Sequence, residues 1–419
     1  MISLPYGDTQ IDFEIPSYFS LQPDWIVAAK QENKNFSKTE IQETLYKHIH
    51  TKAVPANAKV AISINDATRP IPYALILPPL INYLHDLSIL DENISLIIAT
   101  GTHRSPTDEE MNRILPIHIR KMYRTIVHNC DDPDFLSFLG VSRAGTPIYI
   151  NKAFFDADIR IVTGHIEPHH FMGFSGGVKS AVIGLGGRET ITANHRMLLN
   201  PAANLASFKS NPMRMDIEEI GRIIDIDLAL NVVLDDEKQI MDVFFGLPAD
   251  VIVNGVTYSQ KTCMVDNTMD YDLVICSAGG FPKDINLYQA QKAITHAAGF
   301  LQKGGTIVLA AECRSDFGSK PFQEFLESNQ TAKRIIEGFQ NMPFEIGPHK
   351  AYQLAIQARD VRLFLVSTIE QNPGLQSLLH QFASMQEALN TCTEFLSPSA
   401  KIAILPYATH VIRHQEDRS

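Results

Sequence analysis

Residues 158–195 read DIRIVTGHIEPHHFMGFSGGVKSAVIGLGGRETITANH. This stretch decides the fold because it begins as one kind of structure and turns abruptly into another. Asp158–Thr163 is almost continuously apolar and rich in β-branched residues, as a parallel strand buried on both faces must be. It runs directly into Gly164-His-Ile-Glu-Pro-His-His170, a turn crowded with groups that bind or move protons. A glycine-rich segment from Gly173 to Gly177 follows, then Lys179, and His195 closes the stretch. His165, His169, His170, His195, Glu167 and Lys179 do little for stability. They suit a site for a phosphorylated, metal-carrying ligand.

The same strand-to-turn rhythm recurs on both sides. Lys59–Ile64 (KVAISI) leads into Asn65-Asp-Ala-Thr-Arg-Pro70, and Ile94–Thr100 (ISLIIAT) leads into Gly101-Thr-His-Arg104. After Arg104, Ser105-Pro-Thr-Asp-Glu-Glu-Met111 supplies a hydroxyl cap and acidic first-turn residues, which predicts a helix start. Ile71 to Leu84 is apolar enough for a core-facing helix, with Pro78 and Pro79 expected to break or bend it. Further strands are predicted at Asp272–Ser277, Gly305–Ala311, Arg362–Ser367 and Lys401–Leu405, with a helix near Leu287–Ala298. The weakly patterned stretch 261–271 marks a boundary between two α/β domains with mainly parallel sheets, residues 1–265 and 270–419. In open α/β sheets ligands sit beyond the carboxyl ends of the strands. Asp66 to Arg69, His103 and His165 to His169 therefore share one edge, and an active-site cleft between the domains is expected.

Composition narrows the function. The chain of 419 residues has a net charge of −11, which argues against a nucleic-acid binder. Five scattered cysteines without a CxxC pair predict reduced thiols. Met1-Ile-Ser-Leu-Pro-Tyr-Gly lacks a basic start followed by an apolar run, and no apolar stretch reaches about 18 residues. A cytoplasmic location without membrane association is expected.

Each motif has an ordinary explanation beside a chemical one. Gly173-Phe-Ser-Gly-Gly-Val-Lys-Ser180 approaches a P-loop, but Val178 replaces the glycine that lets the backbone wrap a phosphate. The turn can still offer amides to an anion, or simply pack on a strand. His165 and His169 have metal-ligand spacing, yet Pro168 argues against a helix that would align them. Arg69 is either a surface residue or a clamp for a carboxylate or phosphate. Tyr288 and Lys292 share a helical face. On these residues alone, a zinc-dependent hydrolase using the His165–His195 cluster and a non-catalytic nucleotide-binding module both stay open.

Taken together, DATRP, TGTHR, EPHHFMGFSGG-x-K, ANH and NLYQ-x-x-K resemble, in order and approximate spacing, the nickel-dependent lactate racemase family of 2-hydroxyacid racemases and epimerases. The resemblance spans nearly the whole chain. It implies a nickel pincer nucleotide, pyridinium-3,5-bisthiocarboxylic acid mononucleotide, covalently bound at Lys179, with His195 as the protein ligand to nickel. It implies that His103 and His169 are the paired acid/base groups. Asp66, Ala67, Thr68 and Arg69 would contact the cofactor. Arg69, Gln289 and Lys292 would hold the substrate. Cofactor-making enzymes are the implied partners, and a small 2-hydroxy acid is the implied substrate. His165 and His170 receive no role, and Glu167 would orient a neighbour.

The implied chemistry is inversion at C2. A proton on that carbon is very weakly acidic beside a carboxylate, so the family removes it as hydride and returns it to the other face of a 2-oxo acid. Two imidazoles serve because each enantiomer presents its hydroxyl to a different side. The chain departs from the family at Val178 and at Val182-Ile-Gly-Leu-Gly-Gly-Arg188. Both are expected beside the cofactor, with Arg188 open to a second carboxylate, a polyol or the surface.

Overall fold

The computed structural model describes residues 1–28, 36–48, 54–55, 57–69, 71–235 and 238–414. The chain divides into two compact units. The inserted unit is one continuous stretch, Gln31–Lys261, and the flanking unit combines Met1–Lys30 with Thr262–Ser419. The domain expected over residues 1–265 is therefore corrected at its start. The short strand Asp24–Trp25 pairs in parallel with Ala403 and Ile404, and Leu4, Phe13 and Phe19 bury themselves among Leu273, Ile275 and Ile404.

The inserted unit is built on six strands: β1 (Val60–Asn65), β2 (Ile94–Ala99), β3 (Arg124–Val127), β4 (Ile159–His165), β5 (Leu228–Leu234) and β6 (Ile240–Gly246). Their order across the sheet is β6-β5-β4-β1-β2-β3. All neighbours are parallel except the β5–β6 edge pair. The chain moves outward from β1 through β2 and β3, then returns to place β4 on the other side of β1. That reversal opens a crevice at the carboxyl ends of β1 and β4, the place where such sheets take ligands.

Two local expectations change. Helix α1 (Tyr73–Asp86) runs unbroken through Pro78 and Pro79. Its buried Ile76, Leu77, Leu80 and Leu84 pack on Ile62, Ile64 and Leu96, and that burial offsets the backbone bonds the prolines cannot make. Strand β4 continues past Thr163, because Gly164 and His165 still pair with Asn231 and Val232 of β5. Helix α2 (Asp108–Ile114) starts as predicted, with Thr107 and Glu110 forming a reciprocal cap. Three more helices frame the site: α3 (Lys179–Val182), α4 (Arg188–Arg196) and α5 (Pro212–Ile224).

The flanking unit has its own parallel sheet: β7 (Tyr271–Ser277), β8 (Leu301–Ala310), β9 (Arg362–Val366), β10 (His380–Phe382) and β11 (Ile402–Leu405), in the order β10-β9-β8-β7-β11, with Asp24–Trp25 beyond β11. The helix predicted near 287–298 is divided at Gln291 into α6 (Leu287–Ala290) and α7 (Lys292–Ala298). Among the described residues no helix is long and apolar enough to cross a membrane.

Candidate active site

The site begins where β1 ends. Asp66 is 8% exposed, and its Oδ1 accepts from the Thr68 N–H at 3.1 Å and the Thr68 hydroxyl at 2.6 Å. This Asp-initiated turn closes the loop and leaves Oδ2 to accept from His103 Nδ1 at 2.6 Å. Burial is the strongest influence on the Asp66 carboxyl and pushes it up. The His103 hydrogen bond and charge, Thr68 and Arg69 outweigh burial, so the group lies below the usual carboxylate range. His103 follows β2, and its side chain is 53% exposed. With Nδ1 donating to Asp66, its Nε2 lone pair faces outward as a proton acceptor. Ala67 and Thr68 are exposed, and Thr68 has a structural part in the turn.

The loop after β4 supplies the second group of residues. Pro168–His169 pairs with Gly173–Phe174 in a short antiparallel hairpin, so the H-x-x-x-H spacing is extended and not helical. His169 Nδ1 accepts from the Met172 N–H at 3.2 Å. A neutral His169 therefore carries its proton on Nε2 and presents a donor, the opposite of His103. Its ring stacks on His170 at 4.6 Å and meets Phe171 edge-on at 4.5 Å, and Phe171 meets His195 at 5.5 Å. Buried His165 Nε2 lies 3.0 Å from Glu167 Oε1, and the same carboxylate oxygen lies 3.7 Å from Arg69 Nη1. Arg69 and Glu167 thus face each other across the crevice between β1 and β4.

The glycine turn presents Lys179. Gly173, Gly176 and Gly177 all have positive φ, and a Cβ at Gly176 would lie 2.5 Å from Ile166 and 2.7 Å from Asn231 Oδ1. Only glycine fits a left-handed position so closely packed. Arg214 of α5, 1% exposed, donates to the carbonyls of Phe174 and Gly176 and pairs with Glu218 at 3.0 Å. From β5, Asn231 Oδ1 accepts from the Gly177 N–H at 2.6 Å. Sequence reasoning missed both residues, because nothing marks a side chain whose partners are main-chain groups 38 and 54 residues away.

Lys179 opens α3 and His195 lies in the last turn of α4. Desolvation, reinforced by the nearby Lys179 charge, holds the His195 pKa down to about 3. His195 is then neutral near pH 7, the state in which imidazole binds metals. Several atoms around this turn are buried without a hydrogen-bond partner: Asn194 Oδ1 beside His195, Arg214 Nε and Asn231 Nδ2. A cation-bearing turn, a neutral imidazole and spare polar atoms fit a nucleotide that brings a metal with it. A metal held by protein groups alone does not fit: among the described residues no three His, Cys, Asp or Glu side chains are placed to hold an ion. The zinc-hydrolase reading of the His165–His195 cluster loses its ligand set.

The departures from the family pattern also find an explanation in packing. Val178 is buried against Gly221 of α5, where a Cβ on that glycine would lie 2.7 Å from the valine. Cβ atoms at Gly184, Gly186 and Gly187 would lie 2.3 Å from Ser180 O, 2.2 Å from Val182 O and 2.7 Å from Tyr149 Cβ. Arg188 is held by both oxygens of Asp131, with Nη2 at 2.7 Å from Oδ2. These residues serve the backbone path of α3 and α4.

In the flanking unit, Asn286 caps the Gln289 N–H, and Lys292 Nζ donates to Gln289 Oε1 at 2.7 Å. Tyr288 packs edge-on to Phe322 and His349, and burial pushes its hydroxyl up to about 12.

Comparison with known proteins agrees along the whole chain. Residues 6–206 match the model of the lactate racemase N-terminal domain, and residues 266–413 that of the lactate racemase C-terminal domain. The chain is 27% identical to the lactate racemase of Thermoanaerobacterium thermosaccharolyticum, over 98% of each chain. It is 28% identical to that of Lactiplantibacillus plantarum, over 98% of this chain and 99% of the other. The structure of the T. thermosaccharolyticum lactate racemase apoprotein superposes with a TM-score of 0.90 at 25% identity, covering 99% of this chain and all of that one. A Thermotoga maritima protein at 16% identity shares the fold, with a TM-score of 0.67.

Proposed function

Because this chain belongs to the lactate racemase family of isomerases, we propose that it inverts C2 of a 2-hydroxy acid, using a nickel pincer nucleotide tethered at Lys179. The observation that carries this reading is the Asp66–His103 pair, bonded at 2.6 Å beyond the carboxyl ends of β1 and β2, with the helix that Lys179 opens held against β1 through the Ser63–Ser180 hydrogen bond. Lys179 would hold the nucleotide and His195 its nickel, while Asp66 to Arg69 would line it. When bound, that group supplies a reversible hydride acceptor.

The protein's own residues do the remaining work. Arg69 meets the substrate carboxylate, and its planar guanidinium keeps that end fixed while C2 becomes planar and turns. Lys292 and Gln289 are assigned to the same substrate. His103 accepts the hydroxyl proton at Nε2, because Asp66 stabilises the imidazolium that forms. To return a proton to the substrate oxygen from Nε2, His169 must first be doubly protonated, which frees its Nδ1 from the Met172 N–H, and it ends as a neutral ring. For the opposite enantiomer the roles exchange, which requires His169 to release the Met172 N–H and accept a proton. The substrate's side chain is open to lactate or a larger acid, and the protein acts in the cytoplasm after loading by the cofactor-making enzymes.

Intact mass and nickel analysis of protein coexpressed with those enzymes tests the reading. Wild type should gain the mass of the nucleotide and bound nickel, and Lys179→Ala should stay at the mass of the bare chain. A Lys179→Ala protein that keeps a tightly bound nickel nucleotide overturns the tether.

A further inference from the structure

Glu167 takes no part in the steps above, yet it is held on several sides. Its N–H donates to Ser175 Oγ at 3.0 Å, and its carbonyl accepts from the Ser175 N–H at 2.8 Å. Its Oε1 lies 3.0 Å from His165 Nε2, and the His165 side chain is itself 5% exposed. The carboxylate is therefore set against a buried ring, although half of the Glu167 side chain is exposed. The same oxygen stands 3.7 Å from Arg69 Nη1. That distance is too long for a hydrogen bond but short enough for charge attraction. Arg69 keeps its donor hydrogens while its position is biased. Asp66 cannot serve in this way, because its oxygens are committed to Thr68 and His103.

We propose that Glu167, fixed by His165, is a positioning residue that aims the Arg69 guanidinium at the substrate carboxylate. The inference rests on the racemase reading of the site. A carboxylate with this task must attract the guanidinium without occupying the edge the substrate needs. Tethering Oε1 to His165 achieves that. The pair also joins the loops after β1 and β4, so the two sides of the crevice are set in register before substrate arrives.

Glu167→Gln keeps the shape and the approach to His165 but removes the charge. In cofactor-loaded protein with lactate as substrate, Glu167→Gln should raise KM about three- to fivefold, the size of a partly exposed ion pair, with kcat within twofold. Glu167→Asp, which restores the charge one methylene short, should recover part of the loss. In an Arg69→Lys background the Gln substitution should add nothing further. A fall in kcat at constant KM, or the same loss in both backgrounds, overturns the proposal. A second measurement needs no turnover. In cofactor-free protein, labelling of Arg69 by an arginine-selective dicarbonyl, mapped by peptide mass, should be faster in Glu167→Gln than in wild type. Equal rates overturn the coupling. A wild type that shows the labelling difference but does not racemise lactate supports the Arg69–Glu167 coupling and counts against the racemase reading instead.

Discussion

Mild acid should loosen the inserted unit through one side chain, His128, by an amount the structure sets. His128 follows β3 and is 2% exposed. Its Nε2 donates to the Gly186 carbonyl at 3.0 Å, and its Nδ1 accepts from Asn151 Nδ2 at 3.1 Å. Asn151 cannot turn its amide over, because Oδ1 caps the Phe154 N–H at 3.2 Å. A second proton on His128 would therefore point at an N–H donor. Burial, the largest influence, pushes its pKa down to about 4, against partial support from the Gly186 carbonyl and the Asp131 charge. In the unfolded chain the ring titrates near 6.5. Between those values the unfolded chain holds more protons, so stability falls as pH drops below about 6.5 and levels off below about 4. The loss amounts to about 2 kcal/mol at pH 5 and about 3 kcal/mol at pH 4. Urea unfolding of wild type and His128→Gln at pH 7, 6 and 5 reads it directly. His195 also has a lowered pKa, but it is present in both proteins and cancels. Wild type should lose about 2 kcal/mol more than the variant between pH 7 and pH 5. Parallel losses would refute the argument. The effect reaches the site, because Gly186 lies between the helices that carry Lys179 and His195.

Two further outcomes follow from the site. His103→Ala or His169→Ala should lower racemisation by roughly 10²–10⁴-fold while nickel content stays normal; full activity in either variant, followed by polarimetry, would remove that histidine from the acid/base pair. Arg188→Ala should leave the KM for lactate within about twofold, because Arg188 is tied to Asp131; a tenfold rise would place it on the substrate.

The strands beneath the site were legible because they are buried on both faces and read as unbroken apolar runs. Val60–Asn65, Ile94–Ala99 and Ile159–His165 lie within one or two residues of their predicted limits. The Asp66 loop, His103 and the His165–His169 turn could then be placed on one edge from strand direction alone. Asp24–Trp25 was illegible: two exposed residues carry no period, and their pairing is dictated by a strand near the other end of the chain. Arg214 and Asn231 escaped for a similar reason. Each acts on main-chain atoms of a distant turn, and only the folded backbone shows which. The roles given to Lys179 and His195 came from the family resemblance. Their spacing in sequence does not announce that one lies close to the other.

The nesting of one unit inside the other shapes how the molecule is made. Tyr18 donates to the carbonyl of Leu396, 378 residues away. A ribosome therefore releases the entire inserted unit before it has produced the strand that completes the sheet begun by residue 24. Asp24 and Trp25, and the side chains of Leu4, Phe13 and Phe19, spend most of synthesis without their partners in that sheet. Truncation near the carboxyl terminus would then harm the opposite end of the polypeptide first, and a proteolytic survey of nascent chains should find its earliest cuts there.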